Sequence, residues 1–254
     1  MQNQLEKIQL FKDLHVKGDP LVLYNIWDAG SARLAKEIGS KAIATSSWAV
    51  AHSHGYQDSE TLPFKLVLAN LKRIVDNVDL PVTIDIEAGY GKTPLEVQNT
   101  VAKIIAAGSV GINIEDQIIG GDGLYSCEDQ CARIKAIGDL SMPIFINART
   151  DIFFKHPIET HNDKHLEEAL FRANAYAKAG ADGIFVPGLQ DEGLIKTLCE
   201  FSPIPVNIML KNPKDLSKLG VARVSYGPTP YIQALESFKT IALQLLTNAN
   251  SAIG

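Results

Sequence analysis

Apolar residues fall in eight short runs along the chain, most of them followed by a stretch with helical periodicity. The runs are Val22–Trp27, Ala42–Ser47, Val82–Glu87, Gly111–Asp116, Ile144–Thr150, Gly183–Pro187, Val206–Leu210 and Ala222–Tyr226. Several are almost continuously apolar, which predicts parallel strands covered on both faces. Between them the pattern predicts helices over Ser31–Ile38, Pro63–Asn77, Pro94–Ala107, Cys127–Ile137, Lys164–Ala179, Asp191–Glu200, Pro213–Leu219 and Pro230–Leu246. The first fifteen residues, MQNQLEKIQLFKDLH, read as an additional amphipathic helix.

Helix punctuation supports these boundaries. Thr93 is placed to cap a helix that opens with Pro94 and carries Glu96 three residues after the cap. Ser126 is placed likewise before Cys127, and Gly108 and Gly180 stand where left-handed helix stops belong. No linker or low-complexity segment divides the chain. Eight strand–helix units in one stretch predict an α/β protein, a single (β/α)₈ TIM-barrel domain over residues 1–254 with an N-terminal helix. A doubly wound open sheet is disfavoured, because Trp27-Asp28-Ala29-Gly30-Ser31 is not a Gly-rich phosphate turn.

Composition narrows the class further. With 254 residues, 46% hydrophobic and 21% charged, the chain has ample core for one barrel. A net charge of −5 gives no basic footprint for nucleic acid and no polybasic membrane anchor. No apolar run reaches the roughly 20 residues of a membrane span, and the N-terminus lacks the apolar core of a signal peptide. Three cysteines, Cys127, Cys131 and Cys199, form no metal-ligand pattern and suit a reducing compartment. A cytoplasmic protein is expected.

Polar residues gather at the C-terminal ends of the predicted strands, where barrel enzymes carry their sites. Asp28 ends the first, Thr45-Ser46-Ser47 the second, Asp85 and Glu87 the third, and Asn113, Glu115 and Asp116 the fourth. The fifth ends in Asn147-Ala148-Arg149-Thr150-Asp151, while Asn207 and Ser225 lie in the seventh and eighth. Strand residues two apart share a face, so Asp85 and Glu87 stand side by side. Two adjacent carboxylates repel, and a hard divalent cation between them is the simplest relief.

Plainer readings stand beside these. Asp28 is as well placed to cap a helix as to bind a ligand. Glu115 can accept a hydrogen bond from a cation-bound water or pair with Arg149. Arg149 can clamp a substrate carboxylate or an oxyanion with its planar fork, or simply neutralise the local acids. His52 and His54 have a metal-like spacing but no third histidine at another strand end, so a solvated loop is expected there. Lys211 could form a Schiff base, although the Asn212-Pro213 turn after it points to the surface.

Three motifs, Asp85-Ile86-Glu87-Ala88-Gly89-Tyr90-Gly91, Gly111-Ile112-Asn113-Ile114-Glu115-Asp116-Gln117 and Ile146-Asn147-Ala148-Arg149-Thr150-Asp151, follow one another on successive predicted strands. With this set the chain resembles the isocitrate lyase / phosphoenolpyruvate mutase superfamily. The segments starting at Trp27, Ala44 and Gly55 agree, and the last of them places Asp58 in the loop after the second strand. The resemblance implies Mg²⁺, with Mn²⁺ as a substitute, held by Asp85, Glu87 and Glu115 partly through water. It implies that Trp27, Ser46, Ser47 and nearby amides cradle a small-molecule carboxylate substrate, that Arg149 neutralises it, and that Asn207 adds a polar contact. Arg149, Asp58 and Glu115 form the implied catalytic set. The implied chemistry makes or breaks a C–C or P–C bond beside a 2-oxo carboxylate. The resemblance also implies a homo-oligomer, dimer or tetramer, with the C-terminal helix on a neighbour; core packing would explain the apolar Ala234–Leu246 stretch equally well.

One departure limits the expectation. The family's lyases carry a Lys-x-Cys-Gly-His loop after the fourth strand, where this chain has the short Gln117–Ser126 segment without Lys, Cys or His. The Asn-bearing loop of the mutase branch is missing too. Cys127 falls in the first turn of a helix rather than in that loop. The Gly120-Gly121-Asp122-Gly123 stretch can move as a lid, and Asp122 or Tyr125 could supply a proton, but the general acid or base has no assigned owner. The chain is therefore expected to be a Mg²⁺-dependent enzyme acting on a small 2-oxo or 2-hydroxy acid by lyase, decarboxylase or hydrolase chemistry. The alternative is a catalytically silent dicarboxylate-binding or sensor protein on the same barrel.

Overall fold

In the computed structural model, which describes residues 2–209 and 216–251, the eight apolar runs become eight parallel strands. They are β1 (Leu21–Leu23), β2 (Ile43–Ala44), β3 (Val82–Asp85), β4 (Gly111–Glu115), β5 (Phe145–Arg149), β6 (Gly183–Val186), β7 (Val206–Ile208) and β8 (Arg223–Ser225). The strands pair in the order β1-β8-β7-β6-β5-β4-β3-β2. The β1–β2 seam is joined by a parallel bridge between Ile26 and Thr45, with the Ile26 amide donating to the Ala44 carbonyl at 2.8 Å. The predicted (β/α)₈ barrel is thus the observed fold, a single domain.

The helices are α1 (Gln2–Asp13), α2 (Ala29–Glu37), α3 (Ser47–Ser53), α4 (Phe64–Asn77), α5 (Pro94–Ala106), α6 (Cys127–Gly138), α7 (Asp163–Ala179), α8 (Glu192–Phe201), α9 (Leu216–Leu219) and α10 (Thr229–Ser251). Thr93 and Glu96 form the expected capping box at α5, Ser126 caps α6, and Gly180 ends α7 in the left-handed region at φ 111°. Asp28 resolves as a cap: it accepts from the Ser31 amide at 2.7 Å and heads α2.

His52 and His54 correct an expectation. They belong to α3 and its C-terminal cap, not to a solvated loop, because Ser46 caps this short helix and Ala49, Val50 and Ala51 are buried beneath it. The His52 ring stacks on Trp48 and bonds the Tyr231 hydroxyl at 3.2 Å. Lys211, Leu210 and the first residues of the predicted Pro213–Leu219 helix lie outside the described residues.

Among the described residues two cores hold the barrel. The larger one lies between the sheet and its helices. The smaller one fills the N-terminal end, where Ile8 and Phe11 of α1 meet Leu21, Leu23, Ala42, Ala44, Val110 and Phe145. The Phe11 and Phe145 rings meet edge to face at 5.1 Å, and the His15 ring stacks on Phe145 at 4.3 Å. A Cβ on Gly111 would stand 2.9 Å from the Phe11 ring and from Thr83 Oγ1, so β4 begins with the residue that lets this plug seat. With that end closed, the opposite end is left for ligands. Among the described residues no helix is long and apolar enough to cross a membrane.

Candidate active site

Strand register assembles the site. Asp85 pairs with Asn113, and Asn113 with Asn147, while Glu115 pairs with Arg149 and Arg149 with Phe185. Side chains at these ends ring a cavity of about 220 Å³ at the C-terminal mouth of the barrel. Its acidic side carries Asp58, Asp85, Glu87 and Glu115. Arg149 stands among them, beside Glu115, and the apolar side chains Phe154, Phe185, Pro187, Met209 and Pro228 complete the lining.

The acids are tied into the backbone around them. Asp85 Oδ1 accepts from the Glu87 amide at 3.2 Å, and Asp85 Oδ2 accepts from the Ser47 hydroxyl at 3.0 Å. Glu87 is 4% exposed. Burial, and then the charges of Asp58 and Asp85, push its pKa up to about 8. Burial and the Asp85 charge raise Asp58 as well, and Asp58 Oδ1 is buried without a hydrogen-bond partner. Burial also lifts Glu115 well above the carboxylate range, with Arg149 opposing. This is a set of oxygen donors crowded by its own negative charge, and a hard cation fits it. Among the described residues no three of these side chains converge closely enough to ligate one ion directly, so water would complete any coordination.

Arg149 is held from two sides. Its Nε and Nη2 donate to the two oxygens of Asp151, at 2.6 and 2.8 Å, and its Nη1 lies 2.8 Å from Glu115 Oε2. Burial works against the charged guanidinium, but Glu115 and Asp151 outweigh it and raise the pKa above the ordinary arginine range. Three of its five N–H groups are thereby used, which leaves one on each terminal nitrogen, a pair suited to a carboxylate. Beneath it, fully buried Asp116 accepts from the Asp151 amide, the Tyr176 hydroxyl and Arg172 at 2.9–3.0 Å, which fixes the segment that carries Asp151.

The structure brings Ser46, Ser47, Asp58, Asp85, Glu87, Glu115 and Arg149 to one cavity wall. Trp27 and Asn207 stand back from it. The Trp27 ring packs edge-on against Tyr231 at 5.0 Å, because the chain turns away from β1 into α2. Asn207 is engaged with the Ser225 hydroxyl at 3.2 Å, within the barrel. The loop after β4 folds back as a tight hairpin, with the Ile118 amide donating to the Gly123 carbonyl at 3.0 Å. Of that loop only Gln117 lines the cavity. Asp122 and Tyr125 do not, and Tyr125 lies under the Arg133 guanidinium at 4.4 Å instead. Cys127 is half-buried in α6, with its thiol pushed up by burial, so it does not replace the missing loop cysteine.

Sequence reasoning assigned no role to Asp151, Asn25, Trp48 or Phe154. The spacing of Asp151, two residues after Arg149, was a usable signal. Asn25 staples the seam: its amide donates to the Thr45 carbonyl, and its Oδ1 accepts from the Tyr226 and Gly227 amides.

Comparison with known proteins places this geometry in context. The family described as phosphoenolpyruvate phosphomutase matches over residues 11–246. An uncharacterised protein of Mycobacterium tuberculosis is 37% identical over 89% of this chain and 84% of its own length. The 2-methylisocitrate lyase of Salmonella typhimurium is 31% identical over 78% of this chain and 68% of its own. A solved Burkholderia cenocepacia protein, provisionally named a phosphonomutase, superposes with a TM-score of 0.92 at 45% identity, covering 95% of this chain and 99% of that one. By the match to nearly its whole length, the chain belongs to the phosphoenolpyruvate phosphomutase family, in the isocitrate lyase / phosphoenolpyruvate mutase superfamily.

Proposed function

We propose that this chain is a Mg²⁺-dependent enzyme that cleaves a C–C or P–C bond next to the carboxylate of a small 2-oxo or 2-hydroxy acid. The observation that carries the reading is the cavity itself, in which Asp58, Asp85, Glu87 and Glu115 share the lining with a single arginine fixed by Asp151. Asp85, Glu87 and Glu115 would hold the cation, with Mn²⁺ as a substitute. When bound, it would act as a Lewis acid that stabilises negative charge developing on the substrate oxygen.

The chain's own groups do the rest. The two remaining N–H groups of Arg149 orient the substrate carboxylate, and the Ser46 and Ser47 hydroxyls line the same wall. Asp58, raised by burial and by Asp85, is the carboxyl placed to hold or accept a proton in the cavity. Phe154, Phe185 and Met209, which line the same cavity, exclude water from it, which strengthens each of these interactions. Related mutases and lyases act on small acids, as 2-methylisocitrate lyase does by its name.

The test is turnover of oxaloacetate, methylisocitrate and phosphonopyruvate with Mg²⁺ or Mn²⁺. Turnover of one of them, abolished in Asp85→Ala, is the expected result. Activity unchanged in Asp85→Ala or Glu87→Ala would sink the mechanism. The hairpin after β4, which offers the cavity only Gln117, favours one rival: a dicarboxylate-binding or sensor protein. Tight calorimetric binding without turnover of any of the three acids would establish that rival. The exposed apolar side chains of α10 support a homo-oligomer, and the three free thiols support a reducing cytoplasm.

A further inference from the structure

Backbone strain is concentrated at this site. Among the described residues, four that are not glycine adopt left-handed backbone: Ser59 (φ 72°), Glu60 (55°), Glu87 (52°) and Tyr90 (51°). Non-glycine residues hold this conformation only where surrounding contacts over-determine it. Here the four belong to two loops, one after α3 and one after β3; two hydrogen bonds join the loops and a third closes within the second. The Glu60 amide donates to Glu87 Oε2 at 2.8 Å, the Tyr90 amide donates to Glu60 Oε1 at 2.7 Å, and the Tyr90 hydroxyl donates to Glu87 Oε1 at 3.3 Å.

The bonds form a closed circuit. Glu60 gives its amide to the carboxylate of Glu87, and its own carboxylate receives the amide of the turn that Glu87 begins. Both oxygens of Glu87 are thereby aimed, each with a lone pair left over. The turn is braced from below by Arg133, which is 1% exposed and donates to the carbonyls of Ala88, Gly91 and Lys92. A Cβ on Gly91 would meet Glu96 and Val97 at 2.7–2.8 Å, so the turn cannot shift toward α5. The Tyr90 ring packs on Phe64 at 5.3 Å. Asp58, two residues before Glu60, is carried by the same loop.

We propose that Glu60 and Tyr90 are positioning residues, a strained two-loop clamp that fixes Glu87 in the cation-binding arrangement and holds the loop that carries Asp58 beside it. Neither lines the cavity wall, so both act through the carboxylates they orient. The proposal rests on the cation reading above and adds to it the device that holds the acids together against their mutual repulsion.

Mn²⁺ titration followed by electron paramagnetic resonance, paired with thermal unfolding of the cation-free protein, tests it. Glu60→Ala is expected to weaken Mn²⁺ binding by about tenfold or more, the usual loss when a group orienting a metal ligand is removed. Glu60→Gln is expected to restore most of the affinity, because the amide oxygen can still accept from Tyr90. Tyr90→Phe is expected to cause a smaller loss. If Glu60→Ala does not fold, Tyr90→Phe decides, and wild-type affinity in that variant overturns the clamp. Wild-type binding that is lost in Asp85→Ala but retained in Glu60→Ala overturns the clamp alone. A Glu60→Gln protein as weak as Glu60→Ala overturns the acceptor role. Absence of Mn²⁺ binding in the wild type overturns the cation reading, and the clamp with it.

Discussion

Arg149 makes three charged hydrogen bonds within the protein before any substrate arrives. A lysine would keep the charge but lose the fork that reaches Asp151 with two nitrogens while leaving two N–H groups for a ligand. Arg149→Lys is therefore expected to weaken oxalate binding in the presence of Mg²⁺ by about a hundredfold, the scale of one bidentate charged contact. Calorimetry reads this directly, and binding within a few-fold of wild type would show that Arg149 only neutralises the acids. At the other end of the barrel, His15 is held neutral. Burial and then the Arg223 charge lower its pKa to about 3, and only its bond to the Phe11 carbonyl opposes them. Because the folded pKa lies below the unfolded 6.5, the unfolded chain binds the extra proton between those values, and stability falls as pH drops through that window. Urea unfolding at pH 6.5 and below is expected to show wild type losing about 1 kcal/mol per pH unit relative to His15→Phe. Parallel pH profiles would show that the ring is not held neutral.

At the level of elements, the seating of α1 depends on the absence of a side chain at the start of β4. Gly111→Ala is expected to destabilise the protein by about 1–3 kcal/mol through overpacking against Phe11 and Thr83. Thermal unfolding checks this, and an unchanged midpoint would mean that the plug can shift. Every strand was legible in the sequence because apolar-rich runs recur between helix-period stretches, even though Val22 of β1 is exposed and β4, β5 and β7 each carry a buried asparagine. The strand ends were not: the runs predicted as Val82–Glu87 and Ala42–Ser47 stop at Asp85 and Ala44, since the polar residues that make the site also leave the sheet. The acids and Arg149 could be found because they are charged residues at predictable strand ends. The helix α3 was hidden by its length, as two turns give too few periods to separate from a loop, and its cap Ser46 read equally well as a ligand contact. That Trp27 and Asn207 do not line the cavity was hidden for a related reason. Position along a strand says which end a residue occupies, but not whether its side chain is already engaged, as Asn207 is with Ser225. The clamp was beyond the sequence altogether, because backbone handedness at Glu60 and Tyr90 is set by contacts between two loops.

On the scale of the molecule, α10 is, among the described residues, the one long helix whose apolar side chains the barrel does not cover. Tyr231 is buried, but beyond it Ile232, Leu235, Phe238, Ile241 and Leu245 recur at three- and four-residue spacing and are exposed, Phe238 by 73% and Leu245 by 65%. That spacing draws one stripe along the helix. Exposed stripes of this size are rare on monomers and mark a surface that another protein covers. A second copy of the same chain is the occupant we expect, because an isologous pairing would bury both stripes at once. Light scattering on the wild type is expected to give a mass of two or four chains. Phe238→Glu with Ile241→Glu, which would place two charges on each stripe, is expected to shift that mass toward one chain while leaving the barrel's circular dichroism intact. Tyr231 links this helix to the site through its bond to His52, and Trp48, on which His52 stacks, lines the cavity. Loss of assembly is accordingly expected to weaken oxalate binding as well, whereas a monomeric variant with wild-type affinity would show that the site is complete within one chain.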